Sequence, residues 1–340
     1  MSQRVFPAEW APQSSVLLAW PHPETDWAHM LHEVQACFQE IVTTIARFEE
    51  VILLVPDEVT AEELRPRFPA RVKLPVIATN DTWARDFGPI SIKENGHWSV
   101  LDFQFNGWGL KFPAHKDNMV TRLLLGAGLL APDIQYQNHL NFTLEGGALE
   151  SDGAGTLLTT AECLLSTNRN EQWGQAQIET YLKETLGIER VLWLTKGFLT
   201  GDDTDSHIDT LARFCSKETI AYVQCTDPGD EHYEALQAME AELKQFVTAD
   251  GLPYTLVPLP MADEVIFDWE RLPATYANFL IINGAVLVPT YESPKDGLAL
   301  TQMKKAFPQH EIIGINCRPL IKQHGSLHCV TMQLPKGVTN

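Results

Sequence analysis

The chain has 340 residues, 44% apolar and 20% charged, a balance that suits a folded globular protein and excludes a disordered or fibrous one. Lys and Arg total 25 against 44 Asp and Glu; the net charge of −19 argues against nucleic acid and anionic lipid as partners, and serves solubility or a cationic ligand. No apolar run reaches the roughly 20 residues of a membrane span, the opening MSQRVFPAEWAPQSS lacks a secretory pattern, and the six cysteines show neither a disulfide framework nor zinc-type CxxC pairs, so a cytoplasmic protein is expected.

In chain order, SVLLAW (15–20) reads as a strand and is followed by Asp26, a residue type that caps helices. Leu31, Val34, Phe38, Ile41, Ile45 and Phe48 then recur in steps of three and four, as one buried helix face requires. After VILLVP (51–56) comes Asn80-Asp81-Thr82-Trp83-Ala84-Arg85-Asp86-Phe87-Gly88-Pro89, read as a strand-end loop closed by a Gly-Pro breaker. A surface loop with an internal Asp–Arg pair is the plainer alternative. An Asn95-Gly96 turn leads into WSVLDFQF (98–105), and a helical pattern follows near 117–126.

Leu144-Glu145-Gly146-Gly147-Ala148-Leu149-Glu150 places paired glycines inside a strand pattern, which marks close approach of a backbone or ligand, or else a bulge with a solvated Glu. An Asp152-Gly153 turn leads to GTLLTT (155–160), a helix near 171–186 ending at Gly187, and RVLWLT (190–195). Gly201-Asp202-Asp203-Thr204-Asp205-Ser206-His207-Ile208-Asp209 follows, and on a strand His207 and Asp209 would share a face. Its aspartates also invite a metal reading through His207 and Asp209, although the calcium-loop glycine and glutamate are missing. TIAYVQC (219–225), a helix near 230–247, YTLVPLP (254–260), FLIINGAVLVPTY (279–291), a helix near 297–307 and HEIIGI (310–315) lead to the last strand-like run, Leu327-His328-Cys329-Val330-Thr331-Met332. A cysteine in such a run is more often a core residue than a nucleophile.

No linker or charge block divides the chain, so residues 1–340 are read as one domain. Five helices, each separated by two or more strands, do not fit the one-to-one alternation of a doubly wound sheet. Five strand-rich units with one helix apiece suggest a cyclic, propeller-like α/β arrangement.

Taken together, WARDFGP, LEGGALESDG, GDDTDSHID with ARF, and GSLHCVT resemble, in this order, the agmatine deiminase family. That family sits in the guanidine-modifying group with the peptidylarginine and arginine deiminases. The resemblance runs from Trp20-Pro21-His22 and Asp26-Trp27 through Asn278-Phe279-Leu280 to Cys329. It implies a pentein-like five-bladed α/β propeller of repeated ββαβ-type units with pseudo-fivefold symmetry. It also implies hydrolysis of agmatine to N-carbamoylputrescine and ammonia, a step toward putrescine.

By the same resemblance, Cys329 is the nucleophile, His207 the general acid/base, and Asp86 and Asp209 the carboxylates that grip the guanidinium. Glu145 would hold the histidine or a substrate nitrogen, Asp203 would meet the distal amine, and Trp83 and Trp108 would line the pocket. For Trp108 ordinary core packing is the preferred reading. Ser206 departs from the glycine usual before the histidine. No metal and no cofactor are expected, and self-association into a homo-oligomer is compatible with the chain. Arg85 and Arg213 are open to a structural role or to binding a substrate carboxylate.

The chemistry explains the residue types. Carboxylates on the N–H edges of a planar guanidinium fix it by charge-assisted bonds and set its carbon against sulfur. The same carboxylates should raise the thiol pKa, and a bound guanidinium should lower it. Rival readings are an arginine or peptidylarginine deiminase, an amidinotransferase on the same scaffold, a metal hydrolase at the aspartate loop, and a non-catalytic binding protein.

Overall fold

A computed structural model describes residues 4–339; residues 1–3 and 340, the extreme ends of the expected 1–340 domain, lie outside the described residues. The fold is mixed α/β, with short sheets that repeat one pattern. Strand His97–Gln104 pairs antiparallel with Ile90–Glu94 and parallel with Gln135–Thr143, and helix Val120–Gly126 lies on the parallel crossover. Thr156–Thr160 does the same between Glu150–Ser151 and Arg190–Leu194, crossing over through Gln175–Leu186. Thr219–Gln224 lies between Ala212–Ser216 and Thr255–Pro260, with helix Tyr233–Leu243. Ala285–Thr290 lies between Leu280–Ile282 and Glu311–Asn316, with helix Asp296–Ala306.

The remaining unit is assembled from both ends of the chain. Gln13–Ala19 runs parallel to Glu50–Leu54 through helix Leu31–Ile45, and its antiparallel neighbour is the late strand Met332–Pro335.

Inner strands such as Gln13–Ala19 and Ala285–Thr290 are buried on both faces along most of their length, which is why they read as near-continuous apolar runs. Helix Leu31–Ile45 turns Val34, Phe38, Ile41 and Ile45 inward, each burial stabilising by roughly 1.5–3 kcal/mol. Asp26 does not cap it: a 3-10 turn at Ala28–Met30 intervenes, and neither N-cap position makes a side-chain bond. Helix Tyr233–Leu243 stops before Phe246.

Among the elements that go beyond the sequence reading, two stand out. Helix Glu58–Leu64 is capped by Asp57, which accepts the Thr60 N–H at 2.7 Å. Strand Gln135–Thr143 is mostly polar and partly exposed, so no apolar run announces it. Among the described residues no helix is long and apolar enough to cross a membrane.

Candidate active site

The motif-bearing segments follow the carboxyl ends of parallel strands, where loops converge. Three of them take conformations the sequence did not suggest. The segment Ala84–Phe87 is one buried helical turn, not an open loop, and its Arg85 N–H donates to the Cys329 carbonyl at 3.1 Å. His207 sits at the start of the 3-10 turn Ile208–Thr210, so it and Asp209 do not alternate along a strand. Cys329 lies in a turn ahead of the strand Met332–Pro335. Each change places a short-range bend where a polar side chain must leave the sheet.

Cys329, Asp86, Asp203, Trp83 and Trp108 line one narrow pocket. Asp209 lies against its floor, with Oδ2 3.7 Å from Cys329 Sγ. His207 sets Nδ1 3.7 Å from Asp86 Oδ1 and Nε2 4.0 Å from Glu145 Oε2. All eight sequence candidates therefore share one locus.

Trp108 corrects its sequence reading. It is buried, but its indole N–H donates to Asp86 Oδ2 at 2.9 Å, and its backbone is left-handed at φ 54° between two positive-φ glycines. The Gly147 N–H donates to the other Asp86 oxygen, also at 2.9 Å. A Cβ on Gly147 would stand 2.4 Å from His207 Nδ1, so only glycine lets this backbone approach. Trp83 is wedged between Trp27, 5.6 Å away, and Gly325.

Burial dominates the electrostatics. It pushes Asp86 up to about 7, aided by the charge of Glu145. Asp209 is driven well above the usual carboxylate range by burial and by Asp86. Burial, then Asp209 and Asp86, drives the Cys329 thiol well above its ordinary value. Burial and the nearby Arg169 hold His207 well below its ordinary value. Both His207 ring nitrogens and Asp209 Oδ1 are buried with no hydrogen-bond partner. Orphaned polar atoms of this kind require a ligand or another explanation.

Several contributors carried no sequence signal strong enough to be chosen. Arg169 donates through Nε to both Glu145 oxygens, at 2.8 and 2.9 Å, and through Nη1 to Asp205 Oδ2 at 2.5 Å. Glu145 is thus gripped by Arg169 more closely than it approaches His207. Asn278 donates to Cys329 Sγ at 3.2 Å while its oxygen accepts the His328 N–H at 2.8 Å. His328 Nδ1 lies 2.7 Å from Asp209 Oδ2. Asn278 and His328 adjoin recognisable motifs, whereas Arg169 stands in the featureless run Thr167-Asn168-Arg169-Asn170.

The aspartate loop is occupied with itself. Asp202 accepts the Ser206 N–H at 2.7 Å, and Asp205 pairs with Arg169 and Lys111. Ser206 takes φ 61°, a region glycine favours, and its hydroxyl donates to Glu162 at 3.2 Å. His207 and Asp209 do not share a potential metal cluster among the described residues. His207 does cluster with Glu145 and Cys163, and His328 with Glu9 and Glu150. In both groups a guanidinium, from Arg169 or Arg213, already supplies the positive charge. Arg85 and Arg213 are likewise buried against Glu9, and neither lines the pocket.

Over residues 5–335 the chain matches the family described as Porphyromonas-type peptidyl-arginine deiminase. A curated relative, the putative agmatine deiminase of Vibrio parahaemolyticus, is 35% identical, covering 97% of this chain and 96% of its own. Among solved structures, a putative arginine deiminase from Porphyromonas gingivalis superimposes with a TM-score of 0.95 at 55% identity, covering 99% of this chain and 100% of the other. The agmatine deiminase of C. jejuni with substrate bound gives a TM-score of 0.93 at 40% identity, covering 99% and 98%.

Proposed function

The chain belongs to the Porphyromonas-type peptidyl-arginine deiminase family, and from that premise we propose that it is a hydrolase that converts agmatine to N-carbamoylputrescine and ammonia. The observation that carries this reading is the pocket lined by Cys329 and Asp86 together with Asp209 and His207 buried against them: a thiol, two carboxyls and an imidazole with unpartnered nitrogens, arranged where a planar cation would satisfy them. Asp86 and Asp209 grip the guanidinium edges, and Trp83 and Trp108 flank it. Cys329 gives its thiol proton to neutral His207 and attacks the central carbon. His207 passes that proton to the departing ammonia, leaving a thiouronium. It then takes a proton from the attacking water and returns it to the Cys329 sulfur as the C–S bond breaks. Glu145 acts with Arg169 to fix the surroundings of His207. No step calls for a metal or cofactor.

Agmatine ends in an ammonium where arginine carries a carboxylate. Among the described residues the pocket is lined by Asp26, Asp81 and Asp203 and by no Arg or Lys, which favours the diamine-like cation. Lys111 stands nearby but is bound to Asp205 and to the Asp203 carbonyl. The family description and the P. gingivalis structure make arginine and peptidyl-arginine the second reading. The five ββαβ units are taken as blades of one propeller domain over 1–340, in a cytoplasmic enzyme that feeds putrescine formation.

Ammonia release from agmatine, free arginine and a peptidyl-arginine decides between substrates. Agmatine should lead by at least about tenfold in kcat/KM, and a preference for either of the others overturns the assignment. Mass spectrometry during turnover should find the adduct on Cys329 and lose it in Cys329→Ser.

A further inference from the structure

A carboxyl group as deeply buried as Asp209, beside Asp86, is favoured as the neutral acid while the pocket is empty. If the group is to face a guanidinium as an anion, its proton must leave when the cation arrives. The ligand and the two tryptophans then plug the front of the pocket.

A second way out exists. Asp209 Oδ2 lies 2.7 Å from His328 Nδ1, and His328 Nε2 lies 2.7 Å from Glu9 Oε1. Glu9 in turn lines another pocket, with Arg85, Gly146, Met332 and Gln333, that shares no lining residue with the first. The Glu9 side chain keeps 15% of its surface exposed there.

We propose that Asp209, His328 and Glu9 form a reversible proton relay that empties Asp209 through this second pocket when the cation binds and refills it when product leaves. The inference rests on the function proposed above.

The steps balance. With the pocket empty, Asp209 is protonated and donates to Nδ1, and neutral His328 donates its Nε2–H to the Glu9 carboxylate. On binding, the Asp209 O–H bond breaks and an Nδ1–H bond forms. The Nε2–H bond breaks as the proton passes to Glu9, leaving His328 neutral in its other tautomer. Glu9 yields that proton to water in the second pocket. Product release reverses each step, so the histidine returns to its starting tautomer without a ring flip.

The surrounding charges favour this direction. Arg213 lies 3.0 Å from His328 Nε2 and also pairs with Glu9, while Arg85 Nη1 is 3.2 Å from Glu9 Oε1. Gln333 donates to the other Glu9 oxygen at 2.9 Å. Burial acts to raise Glu9, but Arg213, His328 and Arg85 prevail and hold it well below the usual range, so it passes a proton on and does not retain it. Burial, Arg213 and Arg85 hold His328 well below its ordinary value, so it stays neutral between transfers. The groups facing Asp209 are His328, Cys329, Asp86, Asp202, Arg85 and Glu9. None but His328 offers it a bonded path outward.

The test mixes agmatine with the Cys329→Ser protein at about pH 7, following tryptophan fluorescence for binding and a dissolved pH indicator for proton release. Proton release should accompany binding. Adding Glu9→Gln, which keeps the shape but removes the base, should leave the binding phase in place. It should delay part of the proton release by about tenfold or more. Protons from Asp86, which has no contact with His328, should remain in the fast phase. If Glu9→Gln does not fold, as a thermal melt would reveal, His328→Gln serves instead with the same expected lag. Proton release that keeps its wild-type timing in the variant overturns the relay, as does a Cys329→Ser protein that binds agmatine without releasing protons. No binding signal at all overturns the functional reading and the relay with it.

Discussion

At Gly147 the backbone sits where any side chain would stand between the imidazole and Asp86. A methyl group there would lie 2.4 Å from His207 Nδ1 and 2.9 Å from Asp86 Oδ1. Gly147→Ala should therefore lower kcat/KM by about a hundredfold, since a displacement of about 1 Å suffices for that. Its destabilisation should be only about 1–3 kcal/mol. Wild-type kinetics in a well-folded alanine variant would refute the close approach. Asp209 leads to a prediction of opposite sign. Its folded pKa is raised, so its stability contribution is intact below the ordinary carboxylate pKa and is lost as pH rises toward the folded value. Asp209→Asn removes that loss along with activity. The variant should melt above the wild type, by a margin that widens between about pH 5 and about pH 8. A margin independent of pH would show that Asp209 is not held neutral. Such details leave little trace in the order of residues. Trp108 reads as core from sequence, although glycines flank it in Asn106-Gly107-Trp108-Gly109 and take positive φ in the fold. Arg169 had no such marker, because its partners are far away in sequence.

At the scale of elements, period served well and polarity misled. All five crossover helices were legible because each buries an apolar face against a sheet. The strand Gln135–Thr143 was not, because its partly exposed face has no apolar alternation. The run around Cys329 reads as strand but folds as a turn, because a buried turn and a buried strand have similar compositions. Helix Gln175–Leu186 shows what a legible boundary does physically. Gly187 ends it at φ 74°, and Arg4 Nη1 donates to the carbonyls of Glu184 and Thr185 at 3.0 and 3.2 Å. Those are last-turn carbonyls that the helix leaves open, and the cation also suits the negative end of its dipole. Gly187→Ala should destabilise by about 1–2 kcal/mol from backbone strain alone. It should do somewhat more by pushing on Arg4, where a Cβ would meet atoms 2.4 Å away. Activity per folded molecule should not change. A melt equal to wild type would remove this account of the helix end.

For the whole molecule, the empty pocket works against stability and its ligand should reverse that. Asp86 stands at about 7 in the free protein, and a bound cation favours its ionised form, so affinity must rise with pH through that value. Agmatine should raise the melting temperature of Cys329→Ser more at about pH 8 than at about pH 5.5. An equal or smaller shift at the higher pH would contradict it. The strand Met332–Pro335 has a consequence of another kind. It covers the open edge of Gln13–Ala19 and follows Cys329 by three residues. On the ribosome, Gln13–Ala19 therefore waits while the more than 300 residues between it and Met332 are made before this partner emerges. Until then it presents unpaired amides to neighbouring chains. A product terminated just before Cys329 would carry Asp86, Glu145, His207, Asp209 and the other five cysteines, but not the Cys329 thiol. Translation that stops there leaves the edge of Gln13–Ala19 uncovered and, on the function proposed above, should yield an inert and association-prone chain.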